Sequence, residues 1–183
     1  MTLAELNAKD RIAFIAVLGS VFEHSPWVAE RAWQDRPFPT LDALHDAMTS
    51  VVTTASTEEQ LALLRAHPDL GAVRLKPDTT GTHGSVRLQA DPQMSDASQR
   101  EQAGVGLDAL TREELGRLQK LNAAYRDKFG FPFVYAVKGS TKEDILDALE
   151  RRLLSTRETE RQEALRQVYR IARFRLEEVV GQP

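Results

Sequence analysis

The chain has 183 residues, of which 42% are hydrophobic and 28% charged, and its formal net charge is −3. This composition is typical of a globular protein with an ordinary core, and the slight negative charge does not favour nucleic acid as a partner. The absence of cysteine excludes disulfides, thiolate-bound zinc and thiol nucleophiles. No apolar run approaches the ~20 residues that span a bilayer and no secretory signal begins the chain, so we expect a cytoplasmic protein without a membrane partner.

The spacing of apolar residues predicts helices along most of the chain. Asn7 is expected to cap the first helix, and Ser25 the second, with Pro26 at the first helical position. Further helix starts are predicted at Thr40, at the capping box of Ser56 and Glu59, at the capping box of Thr111 and Glu114, and at Ser140 or Thr141, and the last helix is expected from about Arg157 to Val180.

Two parts of the chain interrupt the helical pattern. Residues 69–95 are rich in Gly, Pro, Thr, Ser and Asp and predict a long irregular segment, a feature that is often functional. Residues 131–137 are strand-like, but Pro132 argues against a central strand, so we predict an extended buried segment. Without repeats or strand–helix alternation, the sequence predicts one all-α domain over residues 1–183, a compact bundle of about eight to ten helices.

A charged stretch near the C-terminus alternates arginine with glutamate. Its members are Glu150, Arg151, Arg152, Arg157, Glu158, Glu160, Arg161 and Glu163. Because the two signs interleave, we interpret the stretch as a solvated helix face rather than a phosphate-binding surface.

The histidines are the first candidates for acid–base chemistry. His67 stands where a helix ends at a proline, just before the irregular segment, so its side chain can face a cleft while the helix holds its backbone. His24 lies at a helix end, His45 is expected to be exposed, and His83 lies in the irregular segment. A histidine is more often structural than catalytic, and position alone leaves both roles open for His67. No histidine pair has the spacing of a helical metal site, so no metal is predicted.

Residues 98–102 form a second candidate site. Ser98 and Glu101 have the Ser-x-x-Glu spacing of a capping box, which is a structural role. The alternative is ligand binding, because the N–H groups of a helix start suit an anion, and Glu101 and Gln102 can recognise a ureide or a carboxylate. The spacing favours neither interpretation over the other.

The aromatic segment at residues 128–134 is the third candidate. A buried aromatic core is the simpler interpretation. An extended segment can also present backbone donors and acceptors to a planar polar ligand.

Five motifs in order resemble a known family. They are Ser25-Pro26-Trp27, Ala66-His67-Pro68-Asp69-Leu70-Gly71, Ser98-x-x-Glu101-Gln102, Leu121-Asn122-x-x-Tyr125 and Lys128-Phe129-Gly130-Phe131-Pro132-Phe133-Val134. Together they resemble the 2-oxo-4-hydroxy-4-carboxy-5-ureidoimidazoline (OHCU) decarboxylases from about residue 6 to residue 176. The stretch at residues 74–95 departs from the animal members by its greater length.

The resemblance implies an all-helical enzyme that converts the ureide OHCU to (S)-allantoin and carbon dioxide, without a cofactor or a metal. It implies that His67 is the catalytic acid/base. As the mechanism, we expect Glu101 to act with His67 by orienting the ureido N–H groups. The implied substrate contacts are Pro68, Ser98, Gln99, Arg100, Gln102, Phe133, Val134, Tyr135, Ala136 and Val137. The family also suggests a homodimer.

Two other functions stay open from the residues alone. One is a helical binding module without activity, in which the aromatic segment is core and Ser98 and Glu101 form only a cap. The other is hydrolysis of a ureide, which usually needs a metal-activated water and is disfavoured by the missing ligand cluster.

Overall fold

The computed structural model describes residues 1–71, 73–75, 88–90, 95–103, 105–107 and 110–181. Within these ranges the chain forms nine α-helices, and Trp33–Asp35 adds a 3₁₀ turn. The helices are α1 (Leu3–Asn7), α2 (Arg11–Leu18), α3 (Trp27–Ala32), α4 (Leu41–Thr53), α5 (Thr57–Arg65), α6 (Asp96–Ala103), α7 (Arg112–Phe129), α8 (Lys142–Arg152) and α9 (Arg157–Val179). The predicted all-α class is confirmed.

The helix starts that depend on local capping agree with the prediction. In the capping box of α5, Glu59 N–H donates to Ser56 Oγ over 3.2 Å and Ser56 N–H donates to Glu59 Oε2 over 3.0 Å. Thr111 and Glu114 form the same reciprocal pair at the start of α7. Thr40 caps α4 through its side-chain oxygen.

Two predicted helix starts are wrong. Asn7 ends α1, and its side-chain amide exchanges two hydrogen bonds with the backbone of Phe38, at 2.8 and 2.9 Å. Asp10 caps α2 in its place. The start predicted for α3 is one residue too early, because Pro26 occupies the N-cap position and the helix begins at Trp27.

The segment predicted to be irregular contains two short strands, β1 (Val73–Leu75) and β2 (Leu88–Ala90). They pair antiparallel, with Val73 opposite Ala90. The prediction is wrong at these positions because three-residue strands are too short for a period of two to be visible in the sequence. His83 and the rest of the predicted irregular segment, residues 72, 76–87 and 91–94, lie outside the described residues.

The chain packs as two compact units. The first comprises Met1–Ala66 and Leu165–Pro183, and the second comprises His67–Ala164. All of the residues proposed for catalysis and binding belong to the second unit. The single domain over residues 1–183 stays a prediction. None of the helices in the described part of the chain has the length and apolar character needed to cross a bilayer.

In the first unit, the predicted exposure of His45 is wrong. Its side chain is 19% exposed, and Nε2 lies 2.9 Å from the backbone oxygen of Tyr169. A buried ion pair also joins Arg175 to Glu23 at 2.8 Å. The contact with Tyr169 assigns His45 a structural setting.

The core of the second unit contains a cluster of aromatic rings around Tyr125. The Tyr125 ring centroid lies 4.6 Å from that of Phe129 and 5.3 Å from that of Phe133. Residues 132–137 form neither helix nor strand, and all of them except Tyr135 are buried. The predictions that this segment is buried and is not a central strand are confirmed.

Candidate active site

His67 follows the end of α5 and is almost completely buried. The helix ends at Arg65 with Ala66 as its C-cap, and Pro68 cannot continue it because proline lacks the backbone N–H. The His67 side chain therefore leaves the chain at a bend, where the residue is 6% exposed. An acid–base side chain is thus placed in a largely water-free position directly after a rigid element.

Gly71 attaches residues 67–71, the histidine segment, to α6. Its N–H donates to Gln102 Oε1 over 2.9 Å, in a buried position. The backbone φ of Gly71 is +66°, and a Cβ at this residue would lie 2.5 Å from Leu118 Cδ2. Because a backbone N–H needs an oxygen acceptor, this bond also orients the Gln102 amide, so the Nε2 group with its two hydrogens points elsewhere.

Helix α7 holds the same segment from two further positions. Asn122 Nδ2 donates to the backbone oxygen of Leu70 over 2.8 Å, and this bond is buried. One turn later, Arg126 forms an ion pair with Asp69 at 2.8 Å, with side chains 49% and 31% exposed. The backbone that follows His67 is therefore fastened to both α6 and α7.

The start of α6 rules out Ser98 as its N-cap. The helix begins at Asp96, and the Ser98 N–H donates to Ser95 Oγ over 3.2 Å. Ser98 therefore lies inside the first turn and is not the N-cap. The capping box of Ser98 with Glu101 is wrong, because Ser95 supplies the cap.

The predicted binding residues of α6 do not all share one face. Ser98 and Gln102 are one turn apart and buried, at 5% and 8% exposure. Gln99 and Glu101 are half-buried. Arg100 is exposed, and its Nε donates to the backbone oxygen of Asp96 over 3.3 Å.

The extended segment has two of its carbonyls engaged by the protein. Arg152 Nη1 donates to the backbone oxygen of Val134 over 2.8 Å, and the Ser140 N–H donates to that of Val137 over 2.9 Å. Tyr135 is half-buried, with its hydroxyl 3.5 Å from Ser140 Oγ. The conformation of this segment is therefore held by side chain and backbone donors as well as by packing.

Arg152 and Glu160 contradict the interpretation of their stretch as a solvated helix face. They are 6% and 0% exposed, and Arg152 Nε and Nη2 donate to Glu160 Oε1 over 2.8 and 2.5 Å. The Tyr125 hydroxyl donates to the same oxygen, and burial raises the pKa of Tyr125 above its usual range. The sequence did carry a signal for Arg152, because it follows Ile145 and Leu149 at the spacing of one helix face.

In the second unit, a hydrogen bond joins the segment that contains the buried His67 to the helix that carries Gln102 and the half-buried Glu101. Sequence reasoning assigned no part in the site to the side chains of Asn122, Arg152 or Glu160. In the described ranges there is no group of three or more His, Cys, Asp or Glu side chains that could hold a metal ion. This arrangement is suited to proton transfer on a small polar ligand.

The chain matches a family model and curated relatives over nearly its whole length. A family model described as OHCU decarboxylase matches residues 7–177. The uric acid degradation bifunctional protein of Bacillus subtilis is 45% identical over 98% of this chain, which spans only 33% of that protein. The OHCU decarboxylase of Haloferax volcanii is 44% identical over 97% of this chain and 95% of its own length.

A solved structure, the crystal structure of (S)-allantoin synthase, has the same fold. It matches with a TM-score of 0.74 and 33% identity, over 98% of this chain and 54% of the other. The fold and the site define an all-α protein in which a buried histidine segment is fastened to two helices. The chain belongs to the OHCU decarboxylase family.

Proposed function

We propose that this chain decarboxylates OHCU to (S)-allantoin and carbon dioxide in urate degradation. The observation that carries the proposal is the hydrogen bond between Gly71 and Gln102, which joins the histidine segment to α6 and leaves an amide donor for a ligand. The names of the relatives give independent support, since they specify uric acid degradation, OHCU decarboxylation and (S)-allantoin synthesis.

The chemistry needs an acceptor for the electron pair of the broken bond. In OHCU, the carbon that bears the carboxylate and the hydroxyl adjoins a ring C=N bond. When carbon dioxide leaves, the electron pair of the broken C–C bond forms a C=C bond, and the C=N pair moves to nitrogen, which takes up a proton. The enol-like intermediate then loses its hydroxyl proton and gains a proton on carbon, which gives allantoin.

His67 is proposed to move these protons, because a buried imidazole can exchange a proton with the substrate and deliver it to one face. One-sided delivery gives the (S) product, whereas uncatalysed decay should give both enantiomers. Glu101 orients the ureido N–H groups. Gln102 Nε2 donates to a carbonyl or carboxylate oxygen of the substrate, because its Oε1 accepts from Gly71.

The remaining contacts are proposed on two surfaces. Pro68 belongs to the histidine segment, Ser98 lies on the buried side of α6, and Gln99 is half-buried beside it. Arg100 is proposed as a further contact on the same helix, and its guanidinium donates to the Asp96 carbonyl. Residues 133–137 present backbone groups to the planar ligand.

Enantioselective turnover tests the proposal. OHCU is generated enzymatically, and the appearance of allantoin is followed by circular dichroism with and without the chain. We expect decay to accelerate and the (S)-allantoin signal to grow. Decay at the uncatalysed rate, with racemic product, contradicts the proposed function.

Assembly and location are proposed on the family resemblance. We expect a homodimer, which light scattering would show as a mass twice the chain mass of 20.5 kDa, and a cytoplasmic location. A single domain over residues 1–183 would unfold in one cooperative transition. A monomer mass or two separate transitions would contradict these expectations.

A further inference from the structure

We propose that Arg152 is a positioning residue for the substrate-binding backbone. It holds the Val134 carbonyl and thereby sets the conformation of residues 133–137. This inference rests on the proposed function, which assigns substrate contacts to those residues, but it concerns a side chain that the proposed reaction does not use.

The Arg152 guanidinium contacts the extended segment on two sides. Nη1 donates to the Val134 oxygen over 2.8 Å, and the guanidinium carbon lies 4.6 Å from the centroid of the Phe133 ring. The first contact fixes a peptide plane, and the second fixes the neighbouring side chain. A planar guanidinium can make both contacts at once, because its donors lie in one plane and its face stacks on an aromatic ring.

Glu160 fixes the Arg152 guanidinium in turn. Nε and Nη2 both donate to Glu160 Oε1, and the Tyr125 hydroxyl donates to the same oxygen. Within the described part of the chain, the second oxygen of this fully buried carboxylate has no hydrogen-bond partner. All of the described hydrogen bonds to the carboxylate therefore act on one oxygen, the one that Arg152 shares with Tyr125.

The buried position of the pair favours positioning over simple stabilisation. Replacing a buried ion pair by well-packed apolar side chains is often neutral or stabilising, so stability alone is a weak reason for the pair. Its geometry supplies what an apolar pair cannot, which is a fixed donor for the Val134 carbonyl.

The variant Arg152→Lys tests the proposal. Lysine keeps the charge beside Glu160, but its compact ammonium group cannot bind the carboxylate with two parallel donors and also reach Val134. We expect KM for OHCU to rise about ten-fold or more, with a kcat within about three-fold of wild type, because the lost contact orders a binding surface. The matched control is Arg117→Lys, in which the same type of fork to Glu150 is removed on the surface.

Hydrogen exchange gives a measurement that does not depend on turnover. The amides of residues 133–137 should exchange faster in Arg152→Lys than in Arg117→Lys and wild type. If Arg152→Lys does not fold, the double variant Arg152→Met with Glu160→Leu removes the donor without leaving a buried charge. The same rise in exchange and in KM is expected of it.

Unchanged exchange at residues 133–137 in a folded Arg152 variant overturns the proposal, and so does a fall in kcat at unchanged KM. Failure of the proposed function has a different signature, because wild type then shows no enantioselective turnover. The exchange comparison still decides whether Arg152 orders the segment.

Discussion

Gly71 donates its backbone N–H to the side-chain oxygen of Gln102 over 2.9 Å, in a backbone conformation that favours glycine. The two residues are 31 positions apart in the chain. This single bond fixes the backbone that follows His67. It also orients the Gln102 amide, so that Oε1 faces Gly71 and Nε2 faces away from Gly71. A glutamine that is committed as an acceptor on one side can only donate on the other.

Gln102→Glu separates these two functions of the amide. The new carboxylate can still accept from Gly71, but its second oxygen has no hydrogen for the substrate. At pH 8, we expect KM for OHCU to rise about ten-fold or more. Gln102→Met should also raise KM, and its melting temperature should be lower than that of Gln102→Glu, because methionine cannot accept the hydrogen bond from Gly71. Substrate affinity equal to wild type in Gln102→Glu would refute the assignment of Nε2 as a donor.

Gly71→Ala tests the close approach of the histidine segment to α7. The alanine would have to adopt a positive φ, and its Cβ would lie 2.5 Å from Leu118 Cδ2. We therefore expect a loss of about 2–4 kcal/mol in the free energy of unfolding. Gly116→Ala is the matched control, because the same methyl in α7 meets nothing within 4 Å among the described residues and should stabilise by up to ~1 kcal/mol. Urea denaturation measures both, and equal effects would contradict the packing described for Gly71.

Asn122 and Arg126 should differ in their contribution to the free energy of unfolding, although both contact the histidine segment. Asn122→Leu leaves the buried Leu70 carbonyl without its donor, at an expected cost of about 1–3 kcal/mol and with a clear loss of turnover. Arg126→Met removes a partly exposed ion pair to Asp69 and should cost less than ~1 kcal/mol. Denaturation curves and OHCU turnover distinguish them. A loss of stability in Arg126→Met that exceeds the loss in Asn122→Leu would contradict this ranking.

Glu114 gives a prediction about pH. Hydrogen bonds from Lys142 and from the backbone of Thr111 lower the pKa of Glu114 from 4.5 to about 2. A carboxyl with a lowered folded-state pKa stabilises the fold above its unfolded-state pKa, and this contribution is lost as pH falls through the folded-state value. The difference in melting temperature between wild type and Glu114→Gln should therefore shrink as pH falls from 4.5 towards about 2.

The neighbouring Glu113→Gln is the control for this measurement. Glu113 is exposed, and its side chain makes no hydrogen bond or ion pair with the described residues. Its variant should follow the wild-type pH profile. A Glu114→Gln difference that stays constant over the same pH range would show that the capping box and the contact with Lys142 do not stabilise the fold.

The sequence predicts well the helix starts whose donor and acceptor are close in the chain. The capping boxes at Ser56 and Thr111 are of this kind, since each joins residues three positions apart. Asn7 and Ser98 have residue types that favour caps, yet neither acts as one. Asn7 bonds Phe38 at a separation of 31 residues, and Ser95 caps the helix that contains Ser98.

The site shows the same division between local and distant contacts. His67 and residues 98–102 are recognisable as motifs, but the contacts that fasten them depend on distant partners. Periodicity could predict that Arg152 is buried, because it shares a helix face with Leu149. It could not predict the shared oxygen of Glu160, because Tyr125 reaches that carboxylate across 35 residues.

The turnover of His67→Asn, measured by circular dichroism on OHCU, tests the central claim most directly. His24→Asn is the matched control, because His24 is exposed and has a positive φ that asparagine tolerates. We predict that His67→Asn loses about 100-fold or more in kcat while it keeps the fold, and that His24→Asn keeps wild-type activity. A folded His67→Asn variant that forms (S)-allantoin within about three-fold of the wild-type rate would contradict the assignment of His67 as the acid/base.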